Sequence, residues 1–330
     1  MLPPFVRRMP LPGLLFAAVL LIGSAIGAGH EAQAGQSTKL RLAYGAKIHY
    51  APQIIALKKG YFAAEGLDVE AKVVQAGIQA AEAMTSGSAD VGVMGDAPAI
   101  IAVASGMPLK IVASYGGGEK MHRLVAAPGS GIHKPGDLVG KRVAVQMGSS
   151  THGAFLLSLG KNKVDAKAVK LVPLDPSDMP EAMTSGQIDA AVGSEPWPSN
   201  IEERVKGSYD VATLSGLGNN FPLVMLVTDR YAKEHPEAVV AALRATQKAV
   251  DFMHQHPDQA AAPISETTGV PAVKEQQVMQ TLEWGVVLDN ATVNSLKQTA
   301  DFLYRQGKIN QLPDWNKVLD RSFVRRALRR

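Results

Sequence analysis

The 330-residue chain contains no cysteine. That absence removes a thiol nucleophile, a disulfide framework, Cys-ligated zinc, iron–sulfur clusters and a lipid anchor on a processed N-terminal cysteine. Aromatic residues are sparse at 5%, and glycine and proline are too few and too scattered for a collagen-like or disordered chain. Charge of one sign is also lacking, because the formal +4 comes from the ends. Residues 1–34 hold Arg7 and Arg8 against Glu31, the last ten residues hold five arginines and no acid, and residues 35–320 carry 27 basic and 29 acidic side chains. A body this close to neutral has no nucleic-acid footprint, which would show as a basic domain or stripe. No cluster with metal-ligand spacing is present, and neither a metal nor a cofactor is expected. Gly116-Gly117-Gly118 lacks the spacing of a dinucleotide fingerprint and reads as a flexible approach to a cleft.

Long apolar runs are missing apart from Leu11–Ile22, which follows Arg7-Arg8 and leads through small residues to Ala32-Gln33-Ala34. Charged start, apolar middle and A-x-A end make residues 1–34 a secretory signal peptide, removed after about Ala34. The run falls short of the roughly 20 apolar residues of a membrane span. The remaining chain is expected to be soluble and, without a cysteine for lipidation, periplasmic.

What remains exceeds one ordinary hydrophobic core, so two domains are expected. Strand and helix alternate: Lys39–Tyr44, Leu67–Val74, Val91–Met94 and Leu109–Tyr115 read as strands, with helices over Pro52–Lys59, Gln79–Ser86 and Ala97–Ala104. The second half continues with strands Arg142–Gln146, Val169–Pro173 and Ala190–Val192 and a helix His152–Leu159. This spacing implies an α/β fold of mostly parallel sheets flanked by helices. Glu82–Gly87 (EAMTSG) recurs as Glu181–Gly186, each copy followed at the same offset by Asp90 or Asp189 and a short apolar strand. A repeat of helix, glycine stop and strand fits two lobes of similar pattern. Helices are expected over Pro236–Gln255, Pro257–Thr268, Pro271–Leu282 and Ala291–Gln306. The lobes divide as 35–126, then 127–223, with 224–330 returning to the first, and crossovers fall near Leu124–Pro128 and Leu223–Asp229.

Ile54–Gly66 (IIALKKGYFAAEG), Gly95-Asp96-Ala97-Pro98, Gly140–Thr151 (GKRVAVQMGSST) and Glu195-Pro196-Trp197 occur in an order that resembles the NMT1-like substrate-binding proteins of ATP-driven importers for sulfonate, taurine and nitrate. The resemblance spans about residues 39–230. It implies a type II periplasmic-binding-protein fold that closes two lobes on a small organic anion, works as a monomer, partners an inner-membrane permease and performs no bond chemistry. An aliphatic sulfonate or taurine is the expected solute, with nitrate, bicarbonate or an aromatic acid as alternatives. A related enzyme of thiamin-pyrimidine synthesis depends on a cysteine-rich segment, and this chain has none.

The candidate contacts lie where strands end and helices begin. Gly148-Ser149-Ser150-Thr151-His152 opens a helix, so its amides and hydroxyls suit an anion, while Ser150 or Thr151 also suits a cap. Gly95, Asp96 and Ala97 form the equivalent corner of the first lobe, with Asp96 as the helix cap. Lys47, His49 and Tyr50 follow the first strand and offer a cation, a ring and an aromatic wall. Trp197 offers a broad apolar face and one donor. The Glu195 carboxylate either faces the cleft unpaired and selects an amino-bearing anion, or pairs with an arginine or caps a helix, and that selection disappears. Asn220 donates to a solute or forms a turn. Arg325, Arg326, Arg329 and Arg330 read as a solvated end, with docking to a membrane or transporter as the alternative.

Overall fold

A computed structural model describes residues 37–329, so the signal segment lies outside the described residues. Among the described residues, eleven strands form two sheets. In chain order they are β1 (Thr38–Gly45), β2 (Leu67–Val74), β3 (Val91–Gly95), β4 (Leu109–Gly117), β5 (His122–Ala126), β6 (Arg142–Val145), β7 (Lys170–Pro173), β8 (Ala190–Ser194), β9 (Tyr209–Thr213), β10 (Leu223–Thr228) and β11 (Glu283–Val287). The first sheet runs β11-β4-β10-β3-β1-β2 and the second β7-β6-β8-β5-β9.

The two sheets share one plan. A parallel trio (β2-β1-β3 or β7-β6-β8) is followed by an antiparallel strand, β10 or β5, and then by β4 or β9. Burial follows position: β3 and β10 are central and almost wholly buried, while edge strand β2 exposes Asp68 and the run from Glu70 to Val73. Charges on that edge discourage pairing with a further strand.

The sequence repeat marks matching braces. Each EAMTSG ends a helix, Gly77–Thr85 or Met179–Thr184, and its glycine turns left-handed (φ 77° at Gly87, 69° at Gly186). The following aspartate then binds an arginine of the neighbouring strand, just before the two strands begin to pair. Arg41 Nη2 lies 2.6 Å from Asp90 Oδ1 and its Nε 2.9 Å from Oδ2; for Arg142 and Asp189 these distances are 2.7 and 3.2 Å. The Arg41 and Arg142 amides also donate to the same carboxylates, at 3.1 and 2.7 Å. Side-chain forks and main chain therefore fix the β1/β3 and β6/β8 registers alike.

The crossings differ from expectation. β5, over His122–Ala126, already pairs with β8 and β9, so the change of sheet comes earlier than residue 126, between Gly117 and His122. The return comes between Thr213 and Leu223, ahead of Leu223–Asp229, which begins as buried β10. A continuous apolar run, LVMLVT, is a central strand rather than a linker. The two crossings touch: the Gly118 amide donates to the Asn220 carbonyl at 2.6 Å, and a Cβ on Gly117 would stand 2.5 Å from that oxygen. The glycine triplet thus allows close backbone approach at the hinge and is not a loose arm.

Helices Pro236–Gln255 and Pro257–Thr268 match expectation, and Asn290–Arg305 differs by one residue at each end. The expected Pro271–Leu282 helix ends at Met279, and β11 follows. Trp284 supplies the reason: its indole covers Gly116 of β4, where a Cβ would lie 2.7 Å from the ring, and its Nε1 donates to the Met279 carbonyl at 2.9 Å. The arginine-rich end carries a helix, Ser322–Ala327, that buries Phe323, Val324 and Ala327 and pairs Arg326 with Glu237, so it is partly packed. Among the described residues no helix is long and apolar enough to cross a membrane.

Candidate functional site

A cavity of about 520 Å³ lies between the sheets, and segments after all six strands of the two parallel trios line it. β1 is followed by Lys47, His49 and Tyr50, β2 by Gln75–Gly77, and β3 ends at Gly95, near Pro98. From the second lobe come Gln146 and Ser149–Thr151 after β6, Asp175–Ser177 after β7, and Ser194, Glu195 and Trp197 at the end of β8. The carboxyl ends of strands in open α/β sheets are where such crevices form. Four helices start on this rim, at Gly77, Asp96, Ser150 and Trp197, and their dipoles direct positive potential inward.

The first-turn amides have different uses. Ser149, and not Ser150 or Thr151, caps the Ser150–Lys161 helix, its hydroxyl accepting from the His152 amide at 3.2 Å. The Ser150 and Thr151 amides, and that of Gly77 across the cavity, find no acceptor among the described residues. Ala97 and Ser199 donate inside the protein, to Asp96 Oδ1 at 2.8 Å and Glu195 Oε2 at 3.3 Å. Two opposed helix starts thus remain open to an anion.

Several expected contacts have other duties. Gly95 is the cap residue of its helix, while Asp96 occupies the first turn, buried, with its carboxylate accepting hydroxyls from Ser150 and Thr299. Burial pushes the Asp96 carboxyl above the ordinary range, against these hydrogen bonds. Neither Asp96 nor Ala97 lines the cavity. His152 is turned inward: its Nδ1 accepts from the Gly148 amide at 3.2 Å and its ring meets Phe302 edge-on. Asn220 sits in the hinge, its amide donating to Ser295 Oγ at 3.2 Å.

Lys47, His49, Tyr50, Gly95, Ser149, Ser150, Thr151, Glu195 and Trp197 do come together on the cavity. Lys47 is the one aliphatic cation among the described residues that line it, and burial draws its pKa down from the ordinary lysine value. His49 falls to about 4, through burial first and the Lys47 charge second, and His122 to about 3, so both are neutral at pH 7. Tyr50 rises to about 12 by burial. Glu195 is held by Arg123, with Oε1 2.8 Å from Nη1, and it receives the Ser199 amide at a helix start. Its carboxylate is therefore unavailable for selecting an amine.

Gln75–Gly77, Met121, His122, Gln146, Asp175–Ser177 and Leu223 were missed by sequence reasoning. The rule that located Ser149–Thr151 would have found Gln75–Gly77 and Asp175–Ser177, since both follow parallel strands. Arg123 carries no local signal, because its partners Glu195, Glu202 and Asp210 are distant in sequence.

The pattern described as NMT1/THI5 like matches residues 47–260. A Bacillus subtilis protein named for binding aliphatic sulfonates is 27% identical over 320 residues, covering 95% of this chain and 96% of its own length. The taurine-binding periplasmic protein of Escherichia coli is 25% identical over 303 residues, covering 88% of this chain and 93% of its own. Among solved structures, the periplasmic aliphatic sulphonate binding protein of Escherichia coli superposes with a TM-score of 0.78 at 23% identity, over 85% of this chain and 97% of its own. A desulfurization enzyme shares the fold with a TM-score of 0.71 at 15% identity, over 88% of this chain and 99% of its own.

Proposed function

Because the chain belongs to the NMT1/THI5-like family, we propose that it is the periplasmic solute-binding protein of an ATP-driven importer and captures a small organic anion, an aliphatic sulfonate, by closing its lobes. The observation that carries this reading is the pair of opposed helix starts with unpaired amides, Gly77 in one lobe and Ser150 and Thr151 in the other, flanking one cavity. Neutral donors at helix starts suit the three oxygens of a sulfonate, and Lys47 adds a single charge. Tyr50 and Trp197 provide walls for an organic tail. Each lobe supplies part of the contact, so solute stabilises the closed form over the open one.

A volume of about 520 Å³ exceeds what nitrate or bicarbonate would fill, which favours a solute with a carbon skeleton. A micromolar dissociation constant corresponds to roughly −8 kcal/mol, within reach of several charge-assisted hydrogen bonds and modest apolar burial. The protein acts as a monomer, and a permease reads its closed form. Calorimetry against ethanesulfonate, taurine, nitrate and sulfate tests the reading. Binding of at least one sulfonate without its consumption is expected; exclusive binding of an inorganic anion, or conversion of the sulfonate, would overturn it. Conversion would favour the enzyme reading that the shared fold of the desulfurization enzyme keeps in view.

A further inference from the structure

The most buried carboxylate at the interface of the lobes is not on the cavity wall. Asp96 starts a first-lobe helix and is 1% exposed, and both of its carboxylate oxygens accept hydrogen bonds from the protein. Oδ1 accepts from the Ala97 amide at 2.8 Å and from the Ser150 hydroxyl of the second lobe; Oδ2 accepts from the Thr299 hydroxyl at 2.6 Å. Thr299 lies on helix Asn290–Arg305, which also sets Phe302 edge-on to His152, with ring centroids 5.6 Å apart, and over Gly153, where a Cβ would come within 3.1 Å of the phenyl ring. The second-lobe helix start is thus docked on the first lobe through its own side chains.

We propose that Asp96 is an interlobe clasp, a positioning residue whose bond from Ser150 favours the closed form before any solute arrives. The Ser150 hydroxyl then serves closure, and the adjacent amides serve the solute. The chain passes between the bodies that carry Asp96 and Ser150 only at the hinge segments, so an opening of a few ångströms separates the two residues beyond hydrogen-bond reach. On opening, Asp96 keeps Thr299 and Ala97, so the clasp biases closure without locking it. A solute that needs the closed form binds more tightly in proportion to the fraction already closed. The inference builds on the two-lobed binding reading, but its test needs no solute, so the two fail separately.

The absence of cysteine permits clean labelling. Lys72→Cys on β2 and Lys170→Cys on β7 place dyes on exposed edge strands of the two lobes, and single-molecule energy transfer reports their separation in solute-free buffer. The unmodified interface is expected to show a populated closed state. Ser150→Ala should shift the closed-to-open ratio toward open by about tenfold, the scale of one hydrogen bond to a charged group. Asp96→Asn, whose amide still accepts, should shift it less. Thermal melts of both variants establish that each is folded. A solute-free protein that is open throughout overturns the clasp, as does a closed population unmoved by Ser150→Ala. Loss of sulfonate affinity in Ser150→Ala with an unchanged solute-free distribution also overturns it, assigning the hydroxyl to the solute.

Discussion

Replacing Arg123 with methionine removes the hub of three carboxylates, and the structure says where the damage falls. Nη1 lies 2.8 Å from Glu195, Nη2 2.7 Å from Glu202 and Nε 3.2 Å from Asp210. The side chains of Glu202 and Asp210 are 33% and 38% exposed, so on losing the guanidinium they turn to water at a cost of about 1 kcal/mol or less each. The Glu195 side chain is only 7% exposed and keeps the Ser199 amide alone. Breaking a buried pair from one side costs about 3–5 kcal/mol because the stranded charge remains. At roughly 2–3 °C per kcal/mol for a chain of this size, the melting midpoint should fall by about 6–15 °C. Adding Glu195→Gln removes the stranded charge and should restore at least half of the loss, which calorimetric melts of both single variants and the double variant can measure. A loss below about 1 kcal/mol in Arg123→Met, or a double variant no better than the single, would refute the burial argument. Because Arg123 already holds Glu195, Glu195→Gln alone should change taurine and ethanesulfonate affinities by the same factor.

Lys47→Met should weaken sulfonate binding by about tenfold at low salt, with the gap narrowing as salt is added; a salt-independent difference would locate the effect elsewhere. Asp175 lines the cavity, is exposed and has no side-chain partner among the described residues, which makes it the carboxylate available to an ammonium group. Asp175→Asn should therefore weaken taurine by up to about fivefold and leave ethanesulfonate unchanged or tighter, and parallel losses in calorimetry would discard that assignment. His49 and His122 resist protonation in the folded protein down to about 4 and about 3, whereas unfolded chains take up the proton near 6.5. Their contribution is fully present above pH 6.5 and declines on acidification at up to about 1.4 kcal/mol per pH unit per histidine, ending for His49 near pH 4. Urea midpoints at pH 7 and pH 5 should diverge less in His49→Gln than in the parent, and equal divergence would count against the buried neutral ring.

Much of the fold was legible because strands and helices alternate with clear glycine stops. Leu67–Val74, Pro236–Gln255 and Pro257–Thr268 have the boundaries their patterns suggest. The hidden elements belong to the long-range part of the design. β10 is an unbroken apolar run whose length does not declare its state, and β11 depends on Trp284 covering a glycine far away in sequence. The same division holds at the site. Strand-end logic placed Ser149–Thr151 and Lys47–Tyr50 on the cavity, whereas the duties of Asp96, Glu195 and Asn220 depend on Thr299, Arg123 and Ser295, residues that pattern alone cannot bring near.

The matched arginine–aspartate braces tie the strands where their pairing begins, and the cavity lies at the opposite, carboxyl ends of those strands. Each half is thereby stiffened like a plate clamped along its back edge, and bending is left to the narrow glycine-bearing seam between the plates. In the proposed binding role, closing the jaw on a solute then alters the molecule's outline far from the solute itself. On the proposed reading, a membrane permease would register loading by gauging the distance between two rigid rims, without touching what is carried.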